Sequence, residues 1–87
     1  MIAEDILLKH PGRHTGYMPQ VVSISTLTEV DIKSDGYPRL KSIPGKISAY
    51  FDRKLIKKAW KSDHARKRED NFYLLLTTDN TIFLIEY

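Results

Sequence analysis

The chain has 87 residues, of which 41% are apolar and 29% are charged, and its formal net charge is +3. These values fit a single small globular domain, residues 1–87, and exclude a disordered or low-complexity chain. The absence of cysteine excludes disulfide bonds, thiol catalysis and thiolate metal sites. No apolar run approaches the roughly 18 residues that a membrane helix needs. Met1 is followed by Glu4 and Asp5 rather than by the basic and then apolar residues of a signal peptide. We therefore expect a cytoplasmic protein without membrane contact.

The first nineteen residues give a weak pattern. Ile2, Ile6 and Leu7 fit either one helical turn or a short strand, and we favour a strand at the edge of a sheet. Residues 10–19 contain two prolines, two glycines and two histidines, a composition that predicts a loop.

The middle of the chain reads as strands and turns. Alternation of β-branched residues predicts a strand at Gln20 to Leu27. Gly36, next to Asp35, and Gly45, next to Pro44, predict two turns. Three short strands are expected around these turns, at residues 30–33, 39–43 and 46–51.

The C-terminal segment predicts a β-hairpin. Residues 71–78 and 81–87 are rich in aromatic and aliphatic residues, and Asp79 and Asn80 between them suit a tight turn. In both strands apolar residues occupy consecutive positions, so they fall on both faces of the hairpin. We therefore expect both faces of the hairpin to be covered.

A helix is predicted before the hairpin. Apolar and polar residues do not alternate across 54–61, but four apolar residues there form i,i+4 pairs. The pairs are Leu55 with Ala59 and Ile56 with Trp60. On a helix the four residues fall within an arc of about 140°, and Asp52 is placed to cap the first turn. The pattern predicts a basic amphipathic helix at about residues 53–62, and packing favours Trp60 in the core over Trp60 as a stacking platform.

Positive charge is concentrated in this part of the chain. Eight of the fourteen Lys and Arg residues lie between Arg53 and Arg68, where Asp63 is the only acid. The segment therefore carries +7, and the rest of the chain sums to −4. Two like-charge i,i+4 pairs, Lys54 with Lys58 and Lys57 with Lys61, would destabilise a helix slightly, which favours a binding role over a purely structural one.

The leading hypothesis is a non-enzymatic accessory module that binds DNA or RNA, mainly through phosphates. Eight basic residues and one outward-facing aromatic residue are the candidate nucleic-acid-binding set: Arg53, Lys54, Lys57, Lys58, Lys61, Arg66, Lys67, Arg68 and Tyr50. Four to six phosphate contacts predict a log–log salt slope of roughly −4 to −5 on duplex DNA.

Two alternatives stay open. The first is a protein-interaction or homodimerisation module whose basic segment meets an acidic protein partner, since so short a chain has little core to spare. The second is a small ribonuclease with His64 or His14 as a general acid or base among cations. His10 and His14 have metal-ligand spacing, but Pro11 and Gly12 oppose the helix that such a pair requires, so no metal and no cofactor is expected.

These elements together predict an α+β fold. We expect a small, mostly antiparallel sheet of about five or six strands, with one basic helix inserted before the C-terminal hairpin. Runs of strands followed by a helix argue against a parallel βαβ arrangement.

Overall fold

The computed structural model describes residues 4–8, 19–62 and 72–87. Its elements, in chain order, are α1 (Glu4–Leu7), β1 (Gln20–Ile24), α2 (Glu29–Ser34), α3 (Gly45–Ser48), a 3₁₀ turn (Arg53–Leu55), β2 (Ile56–Ser62), β3 (Phe72–Thr77) and β4 (Ile82–Glu86). Four sequence predictions fall outside the described residues: the loop at 10–19 except for Pro19, the roles of His10 and His14, that of His64, and the binding residues Arg66, Lys67 and Arg68.

The four strands form one antiparallel sheet in the order β1-β4-β3-β2. The α+β class and the antiparallel sheet are confirmed, whereas the expectation of five or six strands is wrong, because the described residues form four. No helix in the described ranges is long and apolar enough to cross a membrane.

The C-terminal hairpin is confirmed. β3 and β4 pair in register from Phe72 opposite Glu86 to Leu76 opposite Ile82. The amide of Asn80 donates to the carbonyl of Thr77 at 3.0 Å, and Asn80 has φ 66°, a left-handed conformation that asparagine tolerates better than most residues. A turn followed by one left-handed residue is a common three-residue hairpin connection.

Both faces of the hairpin are covered, as expected. On one face β3 and β4 contribute Leu75, Phe83 and Ile85 to a first core, which α1, α3 and the segment after α3 complete with Leu7, Ile47 and Phe51 among others. The opposite face carries a smaller second core. It consists of Ile32, Trp60, Leu74, Leu76 and Ile82, with Leu27, Tyr37 and Leu84 packed against it.

The predicted helix at residues 53–62 is wrong. Only Arg53–Leu55 is helical, as a single 3₁₀ turn, and Ile56–Ser62 forms strand β2. The predicted cap is confirmed, because the Asp52 carboxylate accepts a hydrogen bond from the amide of Lys54 at 3.0 Å. Ala59 and Trp60, which share an arc on a helix, lie on opposite faces of the sheet, in the first and second core.

A β-bulge explains why the sequence of β2 lacks the alternation that is typical of a strand. The pairing of β2 with β3 shifts between Ile56 and Lys58, so one additional residue is accommodated and the alternation of the sequence is interrupted. Adjacent apolar residues are also expected in a strand that is buried on both faces. The apolar residues of a bulged strand that is buried on both faces can therefore have the same i,i+4 spacing as the apolar face of a helix.

The three short strands predicted at residues 30–33, 39–43 and 46–51 do not form. Residues 30–33 belong to helix α2 and residues 46–48 to helix α3, while Phe51 and Arg39 each make an isolated bridge only. α1 is likewise helical, although Leu8 immediately after it bridges to Phe51. The turn at Gly36 is confirmed, with a φ of 76°.

A capping box holds the start of α2. The side-chain oxygen of Thr28 accepts from the amide of Asp31 at 3.1 Å, and the Asp31 carboxylate accepts from the amide of Thr28 at 2.9 Å. Hydrogen bonding of the Asp31 carboxylate, first to the backbone amide of Thr28 and then to its side chain, lowers the pKa of Asp31 below its ordinary value. This reciprocal cap outweighs the strand preference of the β-branched Val30 and Ile32.

Replacing Thr28 with alanine is expected to lower the free energy of unfolding by about 1 kcal/mol, because the first turn of α2 loses its cap. Thr26→Ala is the matched control, since Thr26 is exposed and caps nothing. Chemical denaturation of both variants measures the difference. Equal stability of the two variants would contradict the cap.

Candidate functional site

A cleft of about 300 Å³ lies between helix α2 and strand β2, on the sheet face that carries the second core. We call it the basic cleft. It is lined by three cations, one carboxylate and two aromatic residues: Lys33, Arg39, Lys58, Glu29, Tyr37 and Trp60.

The segment after α2 forms one wall of the basic cleft by pairing with the outer edge of β2. The amide of Leu40 donates to the carbonyl of Ala59, and the amide of Lys61 donates to the carbonyl of Pro38, both at 2.9 Å. Arg39 is therefore directly opposite Trp60 as a non-hydrogen-bonded antiparallel pair, in which side chains are closest.

Alternation then decides which side chains reach the cleft. In an extended chain every second residue shares a face, so Lys58 lies on the same face as Trp60. Lys58 is opposite Leu76 of the second core. Helix α2 supplies the other wall, where the i,i+4 spacing of Glu29 and Lys33 puts both side chains on one side of the helix.

The single carboxylate of the cleft is paired. The ammonium group of Lys58 donates a hydrogen bond to Glu29 and forms a salt bridge with it. This hydrogen bond lowers the pKa of Glu29, partial burial opposes the shift, and the charges of Lys58, Lys57 and Arg39 lower the pKa further. Glu29 therefore stays ionised at neutral pH, and Lys57 adjoins the same positive neighbourhood.

The charge balance of the basic cleft favours an anion. Three cations against one carboxylate leave a formal charge of +2, and the structure pairs neither Lys33 nor Arg39 with a carboxylate within the described ranges. Both side chains are exposed. A lysine offers a point charge and an arginine a fork of N–H donors, and both groups suit phosphate oxygens.

The predicted binding residues do not form one face. Lys58 lines the basic cleft, but Lys61 lies on the other face, with its ammonium 4.5 Å from the centroid of the Tyr73 ring. Arg53 and Lys54 are exposed on the 3₁₀ turn. Tyr50, expected to face outward, is half-buried against the first core.

Two cleft cations were not among the predicted binding residues. Lys33 and Arg39 lie outside the dense cluster of positive charge, so counting charges along the chain does not find them. The pattern Thr28-x-x-Asp31 could have indicated helix α2 and hence the spacing of Glu29 and Lys33. The position of Arg39 depends on long-range pairing with β2, which has no local sequence signal.

The described residues hold no group of three His, Asp or Glu side chains that could bind a metal ion. Comparison with protein-family models, curated proteins and solved structures finds no match to this chain. The function is therefore inferred from the geometry of the cleft.

Proposed function

We propose that this protein is a non-enzymatic module that binds the phosphate backbone of a nucleic acid, and that the basic cleft with the adjoining Lys57 is its binding surface. The observation that carries the proposal is the convergence of Lys33, Arg39 and Lys58 from three separate segments around one cleft. A single basic run along one element is commonly only a solvated face, whereas cations from different elements meet only through tertiary structure.

The chemistry of the cleft suits a backbone contact better than base recognition. Trp60 is only 4% exposed, so its ring cannot stack on a base without unfolding part of the second core. Phosphate contacts are independent of sequence, so we expect similar affinity for oligonucleotides of different sequence. Arg66, Lys67 and Arg68 remain predicted contributors.

A salt titration tests the proposal. Fluorescence anisotropy with a short labelled duplex is expected to give a micromolar Kd, and the log of the affinity should fall with the log of the salt concentration with a slope of about −3 to −4, for three or four contacts. Binding that does not change with salt, or no binding at about 50 mM salt, would refute the proposal.

Removing the carboxylate of the cleft should strengthen binding. In Glu29→Gln the ammonium group of Lys58 loses its partner and becomes free to contact phosphate, so the salt slope should steepen by about one and the affinity should rise several-fold. The difference should be present at neutral pH and should vanish only below the ordinary pKa of a glutamate, because the Lys58 hydrogen bond lowers the pKa of Glu29.

Glu86→Gln is the matched control for this variant, because it changes the net charge equally and Glu86 does not line the basic cleft. If both variants gain the same affinity, the effect is one of net charge, and Glu29 has no particular role at the site.

A further inference from the structure

A second cavity lies beside the basic cleft on the same face of the sheet. Its volume of about 530 Å³ is within the roughly 300–1,000 Å³ that is usual for small-molecule sites. It is lined by residues 23–27, by Tyr37, and by Leu74 of β3 and Leu84 of β4, and none of these described residues carries a charge. We call it the uncharged pocket. Tyr37 also lines the basic cleft, so the two cavities adjoin.

A row of directly opposed residues connects the two cavities. Arg39 and Trp60, which line the basic cleft, are opposite one another, and Trp60 is in turn opposite Leu74. Leu74 is opposite Leu84, and both line the uncharged pocket. Since neighbouring strands are about 4.8 Å apart, Leu74 lies roughly 10 Å and Leu84 roughly 14 Å from Arg39 along this row. A continuous floor therefore runs from a cationic site to an uncharged one.

The lining of the uncharged pocket suits a nucleobase. Leu84 and Tyr37 pack against the second core but stay partly exposed, so they offer an apolar surface that a ligand can reach. Ser23 and Thr26 are exposed and bring hydroxyl groups to the same pocket. A base has apolar faces and a hydrogen-bonding edge, which match an aromatic and aliphatic surface with hydroxyl groups beside it.

We propose that the uncharged pocket binds an unpaired base of the same nucleic acid whose phosphate lies in the basic cleft, so that the protein prefers single strands to duplexes. This preference rests on the function proposed for the cleft. In a duplex the bases are paired and stacked inside the helix, so a base enters such a pocket only from a single strand or after flipping out. Stacking surfaces accept every base, so the preference concerns strandedness and not sequence.

Fluorescence anisotropy with three probes of equal length tests the pocket without any substitution. The probes are a single-stranded oligonucleotide, its duplex, and a single strand whose central nucleotides lack bases but keep their phosphates. We expect the intact single strand to bind roughly tenfold more tightly than the abasic strand, and more tightly than the duplex despite the higher charge density of the duplex. Equal binding of the intact and abasic strands, or tightest binding of the duplex, would overturn the base pocket and leave the basic cleft in place. No binding of any probe would overturn both.

A substitution at Ser23 separates the pocket from the cleft. Ser23→Glu puts a carboxylate into the uncharged pocket, so the affinity for the single strand should fall by roughly tenfold while the affinity for the duplex stays nearly constant. Val22→Glu is the matched control, because it changes the net charge equally on the same strand, and Val22 is 49% exposed but lines neither cavity. Equal losses of single-strand affinity in the two variants would also overturn the base pocket.

Discussion

Replacing Trp60 with alanine is expected to lower the free energy of unfolding by about 3–5 kcal/mol. Trp60 is almost fully buried and, with Ile32 from α2 and Leu74 from β3, forms the centre of the second core. A domain of this size is stabilised by roughly 4–13 kcal/mol, so the substitution removes a large part of the total. The loss should be visible in urea denaturation followed by far-ultraviolet circular dichroism.

Trp60→Phe is the control, because phenylalanine keeps most of the buried apolar surface, and it should cost clearly less than alanine. Trp60 is the only tryptophan in the chain, so its fluorescence in the unaltered protein reports on its own burial. A cost below about 1 kcal/mol for Trp60→Ala would place the ring at the surface, and the assignment of β2 as a two-sided strand would then be wrong.

Reversing two charges of the basic cleft is the second large effect. Lys33→Glu with Arg39→Glu changes the formal charge of the cleft from +2 to −2, because two cations are replaced by two anions. Loss of two phosphate contacts and gain of two repulsive charges should weaken binding of a short duplex by roughly 10²-fold at low salt. The salt slope should become shallower by at least about two.

The matched control is Lys54→Glu with Lys61→Glu, which changes the net charge of the protein equally. Neither residue lines the basic cleft, and Lys61 lies on the opposite face of β2. Binding by the control pair should fall much less than binding by the cleft pair. Equal losses in both double variants would show that total charge, rather than the cleft, governs the affinity.

The fold was predictable from the sequence where local signals agreed with long-range packing. The hairpin followed from the aromatic and aliphatic residues on both sides of Asp79 and Asn80, and the burial of both its faces followed from apolar residues at consecutive positions. Asp52 was placed correctly as a cap because capping depends on neighbouring backbone amides only.

The segment at residues 53–62, which carries five of the nine predicted binding residues, was not predictable in this way. The pairs Leu55 with Ala59 and Ile56 with Trp60 satisfy a helix, but they also fit a bulged strand that is buried on both faces. The choice between the two is made by pairing with β3, which a local pattern does not contain. Tertiary pairing outweighs the local pattern here.

This correction also changes the argument from charge. Like-charge residues four apart are neighbours on a helix, but on a strand they are separated by about 13 Å, so Lys57 and Lys61 no longer oppose the structure that contains them. The support for a binding role comes instead from the structure, in which Lys58 lines the same cleft as Lys33 and Arg39. Lys58 is the one residue that belongs both to the basic segment at residues 53–68 and to the lining of the basic cleft, and Lys57 adjoins the cleft.

The most direct test of the basic cleft as a nucleic-acid-binding surface is a two-dimensional ¹H–¹⁵N NMR titration of the protein with a short oligonucleotide at low salt. We expect the largest shift changes in α2, at Lys58 and Trp60 of β2, and at Tyr37 and Arg39, with reversal of these changes on addition of salt. Changes confined to residues of the opposite face, such as Lys61 and Tyr73, or the absence of any change, would contradict binding at this cleft.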